Sequence, residues 1–256
     1  MKVLESIVVA FSMYSKIPMP HIEWNKENMK NVLCFFPWVG AVAGVLVWLW
    51  FRVSDQLGFG VMLRASVAVL IPVLVTGGIH LDGLLDTADA LSSWQTRERR
   101  LEILKDSHAG AFAIITACVY FILWLGAWDQ LLGNYNGICI MSLGFMMSRC
   151  LSGIGVITFP KARTDGTVAE FSRNASEIAV RNVLITMFVI LAALMIWVDP
   201  VLGVLAAVSA LLVFWWYHYM ALKYFGGTTG DLSGFFLCIC EVVMALVLAL
   251  GGTFNL

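Results

Sequence analysis

The chain is a succession of long apolar runs separated by short polar stretches. Uncharged runs cover Val32–Phe51, Ala109–Trp128, Val183–Val198 and Val201–Leu222, while Leu131–Phe159 is interrupted by one charge, Arg149, and Leu232–Leu250 by Glu241. A further run starts before Arg64 and ends at Ile79. A spanning helix needs roughly 20 apolar residues, so the pattern predicts an all-α, polytopic membrane helix bundle of about seven transmembrane helices. The opening run, Val3–Met13, is too short to span and carries Glu5; Lys16 and two prolines follow it in place of a small-residue cleavage site. It is expected to lie along the interface or to tuck into the bundle.

Composition sharpens this picture. Of 256 residues, 60% are apolar and 13% charged, with a mean hydropathy of +0.86. Soluble domains run about 25% charged, which excludes a soluble enzyme, a disordered tail and a nucleic-acid binder with a basic face. Seven crossings and their loops use up the length, so residues 1–256 read as a single integral-membrane domain with the lipid bilayer as its partner. The six cysteines lie in apolar stretches without the paired spacing of a zinc site.

The net charge of −1 is uninformative, but its distribution is not. Thirteen of the sixteen Lys and Arg residues fall on alternate loops: before the first span, between the second and third, between the fourth and fifth, and between the sixth and seventh. Arg52 and Arg64 fall on the other side. Because bases are enriched in cytoplasmic loops, this predicts a cytoplasmic N-terminus.

Polar residues concentrate in Gly77–Asp89, GGIHLDGLLDTAD, where Asp82, Asp86 and Asp89 stand at i, i+4 and i+7. On a helix these carboxylates share an arc of about 60° and span about 10 Å along the axis. With no base within the segment they repel one another. Oxygen ligands so spaced suit Mg²⁺, which keeps several waters and shares its other positions with substrate phosphates. The outer pair is too far apart for all three to hold one ion.

Other polar motifs lie on the same predicted side. LEILKDSHAG (Leu101–Gly110) includes Lys105, Asp106 and His108, and FPKARTDG (Phe159–Gly166) includes Arg163 and Asp165. GGTTGD (Gly226, Gly227, Thr228, Thr229, Gly230, Asp231) reads as a flexible loop whose amides could cradle a phosphate at the start of the seventh span. Helical rise places Arg149 and Glu241 at similar depths, roughly 15 Å from the basic side. Ionisable groups inside spans need partners, so the two are expected to pair, either on the floor of a cavity open to the cytoplasm with His218 nearer its mouth or as a structural pair holding two helices together.

These residues carry a resemblance to the cobalamin synthase family, adenosylcobinamide-GDP ribazoletransferase. It runs through KIPMP (Lys16–Pro20), FPWVG (Phe36–Gly40), Gly77–Leu91, Leu101–Gly110, Ser148–Arg149 and GGTTGDLSG (Gly226–Gly234), with Glu241 beyond. Leu85, His108 and Leu232–Ser233 depart from the usual pattern. The resemblance implies a Mg²⁺-dependent transfer in which α-ribazole or its 5′-phosphate is joined to adenosylcobinamide-GDP and GMP leaves. It assigns Mg²⁺ to Asp82, Asp86 and Asp89, with Asp106 or Asp231 completing the shell or orienting the attacking hydroxyl. Phosphate contacts fall to Lys105, Arg163, His108 and the GGTTGD amides, and His80 to a supporting or general-base role. A CDP-alcohol phosphotransferase is second, because Leu85-Asp86 stands where that class needs Ala-Arg. A secondary transporter is third, because no internal repeat is visible and the acids lie away from the midplane.

Overall fold

In the computed structural model, which describes residues 2–106, 108–163 and 177–253, every element of repeating structure among those residues is a helix. In chain order these are α1 (Lys2–Tyr14), α2 (Lys26–Met29), α3 (Val32–Gln56), α4 (Val61–Thr76), α5 (Ile79–Ser92) and α6 (Arg97–Ile103). There follow α7 (Ala111–Leu131), α8 (Tyr135–Thr158), α9 (Glu177–Val198), α10 (Pro200–Phe225) and α11 (Gly230–Thr253). Six of them, α3 and α7 to α11, are long and apolar enough to cross a membrane, and α4 with α5 qualifies as a pair bent by 95°. Each predicted span is therefore a helix; the second, expected to end at Ile79, is α4, and the chain bends sharply after it into α5. The short α1 rises only about 20 Å; it tucks against α3, with Val9 and Ala10 fully buried beside Val32 and Leu33.

At the centre stand α8 and α11, with 78% and 72% of their apolar stretches buried against 22–50% in the other long helices. Helices α3 and α9 flank α8, α5 and α10 flank α11, and the two central helices touch each other. Small residues set the α3–α8 spacing. A methyl group on Gly40 or Gly44, one turn apart, would lie 2.2 Å from the Phe145 carbonyl oxygen or 2.1 Å from that of Ser142. Close backbone approach of this kind replaces the hydrophobic driving force that lipid does not supply between spans.

The two ends of the bundle differ in charge. At one end Arg64 pairs with Asp55 at 3.0 Å, the Trp50 indole donates to the Arg64 carbonyl at 2.9 Å, and Arg52 lies 5.1 Å from the Tyr135 ring. Asn134 caps α8 and Asp199 caps α10 through backbone amides in short connections. At the other end the Lys16 amide donates to the Val75 carbonyl at 2.8 Å, Lys161 bridges to Thr228, and Arg163 donates to the Leu101 carbonyl. The division of bases between loops is thus a division in space, and the second group defines a basic end.

Candidate active site

The acidic helix is positioned by a glycine pair. Gly77 (φ +65°) and Gly78 (φ +80°) adopt left-handed conformations that side chains with a Cβ resist. They swing α5 away from α4, and the Gly78 amide closes the turn on the Val73 carbonyl at 3.0 Å. Helix α5 then buries Gly83, Leu84, Thr87, Ala88 and Ala90, leaving Asp82 exposed and Asp86 and Asp89 half-buried. A methyl on Gly83 would lie 2.6 Å from the Asp231 carbonyl oxygen. The missing side chain lets α5 press on the first turn of α11, so Asp82 and Asp231 border the same cleft.

The three aspartates meet different surroundings. Both oxygens of Asp89 accept backbone hydrogen bonds, from Gly110 at 2.6 Å and Ala113 at 2.9 Å, so Asp89 caps α7. Asp82 and Asp86 have neither a hydrogen bond nor an ion pair with any described residue. The negative charges of Asp82, Asp231, Asp89 and Asp106 all bear on Asp86. Among the described residues no three His, Cys, Asp or Glu side chains converge on one ion, in keeping with the spacing. What the site offers is hard oxygen donors without a counter-cation, a donor set that fits Mg²⁺ retaining waters and sharing substrate phosphates.

The GGTTGD loop is built inside out relative to the phosphate cradle expected from its sequence. The amides of Gly226, Gly227 and Thr228 donate to the carbonyls of Leu222, Ala221 and Pro160, and the Thr228 carbonyl accepts from Ala162 at 3.0 Å. The Thr228 hydroxyl is buried against Tyr217 and Ser233, and Thr229 accepts from the Leu232 amide at 3.2 Å to cap α11. These bonds rigidify the loop and remove three of the expected anion donors. The amides of Thr229 and Gly230, in the first turn of α11, make no hydrogen bond to a described residue.

Arg163, tied to Leu101, acts electrostatically on Asp231 across the loop. Asp106 and His108 turn toward one another in solvent: the imidazole Nδ1 lies 2.7 Å from the carboxylate and the His108 amide donates to it at 3.0 Å. Those two bonds hold the Asp106 carboxyl below the usual range. Neither residue borders the cleft, and Lys105 beside them is exposed. Asp165 lies outside the described residues. Sequence spacing gave no role to Arg97 beyond topology, yet its guanidinium lies over Gly226, 2.0 Å from where a methyl would stand. Tyr217 was likewise unread; a tyrosine buried in an apolar span has no local signal to mark it.

The pair expected from depth counting forms: Arg149 Nη1 lies 2.7 Å from Glu241 Oε1, with Ser148 donating to the same oxygen at 2.8 Å. The cavity beside it is small. Arg149 and Glu241 are 1% and 3% exposed, and the space they share with Thr76, His80 and Tyr120 is about 20 Å³, room for about one water. The pair lies at the contact of α8 and α11 and is not among the residues that line the cleft with Asp82 and Asp231. His218 is not at its mouth; it stacks on Phe159 at 4.2 Å between ring centroids. His80 lines both this small cavity and the cleft, its ring 5.7 Å from that of Phe36 and its buried Nε2 without a hydrogen bond to a described residue. The cleft itself encloses about 240 Å³ between α1, α3 and α8 on one side and α5 and α11 on the other.

A bundle that crosses the bilayer several times and sets Asp82 and Asp231 in a cleft at its basic end, with Asp86 beside them, is built as an integral membrane enzyme for charged substrates. Residues 6–249 match the family model described as cobalamin-5-phosphate synthase, and the chain belongs to that family. It is 45% identical to an adenosylcobinamide-GDP ribazoletransferase of Lachnoclostridium phytofermentans, covering 98% of this chain and 96% of the relative. Proteins of the same name from Pseudomonas fluorescens (33% identical; 88% and 90% covered) and Clostridium botulinum strain Alaska E43 (28%; 93% and 94%) are similar along most of their length. No solved structure matches the chain.

Proposed function

We propose that this chain joins α-ribazole, or its 5′-phosphate, to adenosylcobinamide-GDP and releases GMP, completing the nucleotide loop of cobalamin. The observation that carries this reading is the 45% identity, end to end, with a relative named for the reaction. In the transfer the ribose 3′-oxygen bonds to the cobinamide-side phosphorus, the bond from that phosphorus to the GMP oxygen breaks, and the hydroxyl proton is taken up. Such a step asks a protein chiefly for positioning and charge neutralisation.

Asp82 and Asp86, with Asp231 opposite, would hold Mg²⁺, and Asp89 fixes the start of α7 beside them. A bound Mg²⁺ would offset the charge that develops on the leaving GMP. Arg97 and Arg163 brace the GGTTGD loop, whose free Thr229 and Gly230 amides point their dipoles at the mouth of α11 and so favour an anionic group there. His80, beside Asp82 in the cleft, orients the attacking hydroxyl or accepts its proton. The basic end faces the cytoplasm by the preference of lysine and arginine for that side, which places the cleft at the inner surface of the cell membrane. The test is release of GMP by purified protein in lipid–detergent with both substrates and Mg²⁺; no release with either form of α-ribazole would overturn the reading.

A further inference from the structure

The cleft is chemically two-sided. Toward its mouth stand Asp82 and Gly230, both exposed, with Asp231. Its inner wall, contributed by α1, α3 and α8, is apolar: Leu33, Phe36 and Val156 are at most 6% exposed, and the Tyr14 ring lies 4.3 Å from that of Phe36. Two hydroxyl-bearing side chains interrupt this wall, Tyr14 and Ser152. Ser152, 2% exposed and one turn before Val156 on α8, lines the cleft and makes no hydrogen bond to any described residue.

Resting on the reading above, we infer that this inner wall is the seat of the flat aromatic base of α-ribazole, with Ser152 donating to the one unsubstituted ring nitrogen and the ribose directed out toward Asp82 and Asp231. Size decides between the two substrates. Pockets that enclose a whole drug-sized ligand run about 300–1,000 Å³, and this cleft holds about 240 Å³. That suffices for a bicyclic base and part of its sugar, whereas a corrin macrocycle with its amide arms is many times larger. Polarity agrees: an apolar, aromatic wall gains by covering a benzimidazole ring and loses by covering a diphosphate. The Ser152 hydroxyl, without a hydrogen bond to a described residue, matches a base with an acceptor nitrogen, and a site that commits a buried hydrogen-bonding group to its ligand discriminates against ligands lacking the partner. Ser152 and Val156 are specificity-determining residues on this account, apart from the carboxylates that serve the phosphate.

The test uses full-length protein in lipid–detergent, with GMP release measured while each substrate is varied in turn, and with α-ribazole binding followed separately by titration in the absence of the second substrate. Val156→Phe fills the inner wall and is expected to raise KM for α-ribazole at least about tenfold, leaving KM for adenosylcobinamide-GDP within about twofold. Ser152→Ala is expected to raise KM for α-ribazole about threefold to tenfold, the loss of one neutral hydrogen bond. Free 5,6-dimethylbenzimidazole is expected to compete with α-ribazole on the wild-type protein and to lose that competition in Val156→Phe. Should Val156→Phe fail to accumulate, Ser152→Ala and the competition measurement decide. Unchanged KM for α-ribazole in an active variant, or a rise confined to adenosylcobinamide-GDP, would overturn the subsite alone. Wild-type protein that binds α-ribazole, loses that binding on Val156→Phe and yet releases no GMP would overturn the activity and uphold the subsite; absence of both binding and release would overturn both.

Discussion

Arg149 and Glu241 lie 2.7 Å apart at the contact of the two central helices, both almost wholly buried. Arg149 also donates to the Phe145 carbonyl at 2.7 Å, and Glu241 accepts from Ser148. A buried ion pair owes its importance to the penalty of leaving one member alone. Glu241→Leu or Arg149→Met is expected to destabilise the bundle by about 3–5 kcal/mol, and the double replacement by less than either single one. Thermal unfolding in detergent compares the three. A double variant that folds normally and turns over normally would confirm that the pair is structural.

Asp86 and Asp89, three residues apart on one helix, should separate cleanly. Asp86→Asn removes an unpaired carboxylate and is expected to abolish GMP release while insertion and melting temperature hold. Asp89→Ala strips the cap from α7 and is expected to cost about 0.5–2 kcal/mol of stability. Equal loss of stability in both would contradict the division of roles.

Gly83 should tolerate no side chain. The Asp231 carbonyl oxygen lies 2.6 Å from where a methyl would stand, so Gly83→Val must push α5 off α11 and pull Asp82 away from Asp231. Turnover is expected to fall by two orders of magnitude or more, about 3 kcal/mol of lost positioning. Gly126→Ala, where nothing stands within 4 Å, serves as the silent control.

Chelation tests the metal. EDTA is expected to stop GMP release, with activity restored by Mg²⁺ in excess. Release that continues undiminished after exhaustive chelation would remove Mg²⁺ from the mechanism.

Orientation can be read by labelling. Trp94 is 89% exposed next to α6 on the basic end, and Leu57 is 62% exposed at the opposite end. With a membrane-impermeant maleimide, Trp94→Cys is expected to react in inverted vesicles and Leu57→Cys in right-side-out ones. The reverse pattern would turn the molecule over.

Much of this arrangement was legible in the sequence, for identifiable reasons. Apolar runs became helices because lipid demands internal satisfaction of every backbone group, and depth counting paired Arg149 with Glu241 because helical rise is constant. The acid spacing placed Asp82, Asp86 and Asp89 on the accessible side of α5. Illegible were the relationships set by tertiary contact. Asp89 finds its partners 21 and 24 residues away, at Gly110 and Ala113. The GGTTGD amides turn inward because the last carbonyls of α10, at Ala221 and Leu222, take two of them and Pro160, in the chain after α8, takes a third. Nothing local tells that His80 lines the space beside Arg149 as well as the cleft. Nor did the sequence mark Gly77 and Gly78 as a turn: their paired left-handed conformations bend the chain by 95° between α4 and α5.

That bend bears on how the chain is made. Carrying one aspartate through the centre of a membrane costs about 2.5–3.5 kcal/mol, and an unbroken helix from Val61 onward would move Asp82, Asp86 and Asp89 along one line with the apolar residues before them. The right-angled departure of α5 parts the two tasks. Helix α4, sixteen residues with Arg64 as its one charge, is left to enter the hydrocarbon, and the three carboxylates stay with the Arg97–Lys105 segment. During biogenesis the insertion machinery can therefore place a span whose continuation is too acidic to follow it, and the helix it leaves behind at the surface is the one that borders the cleft.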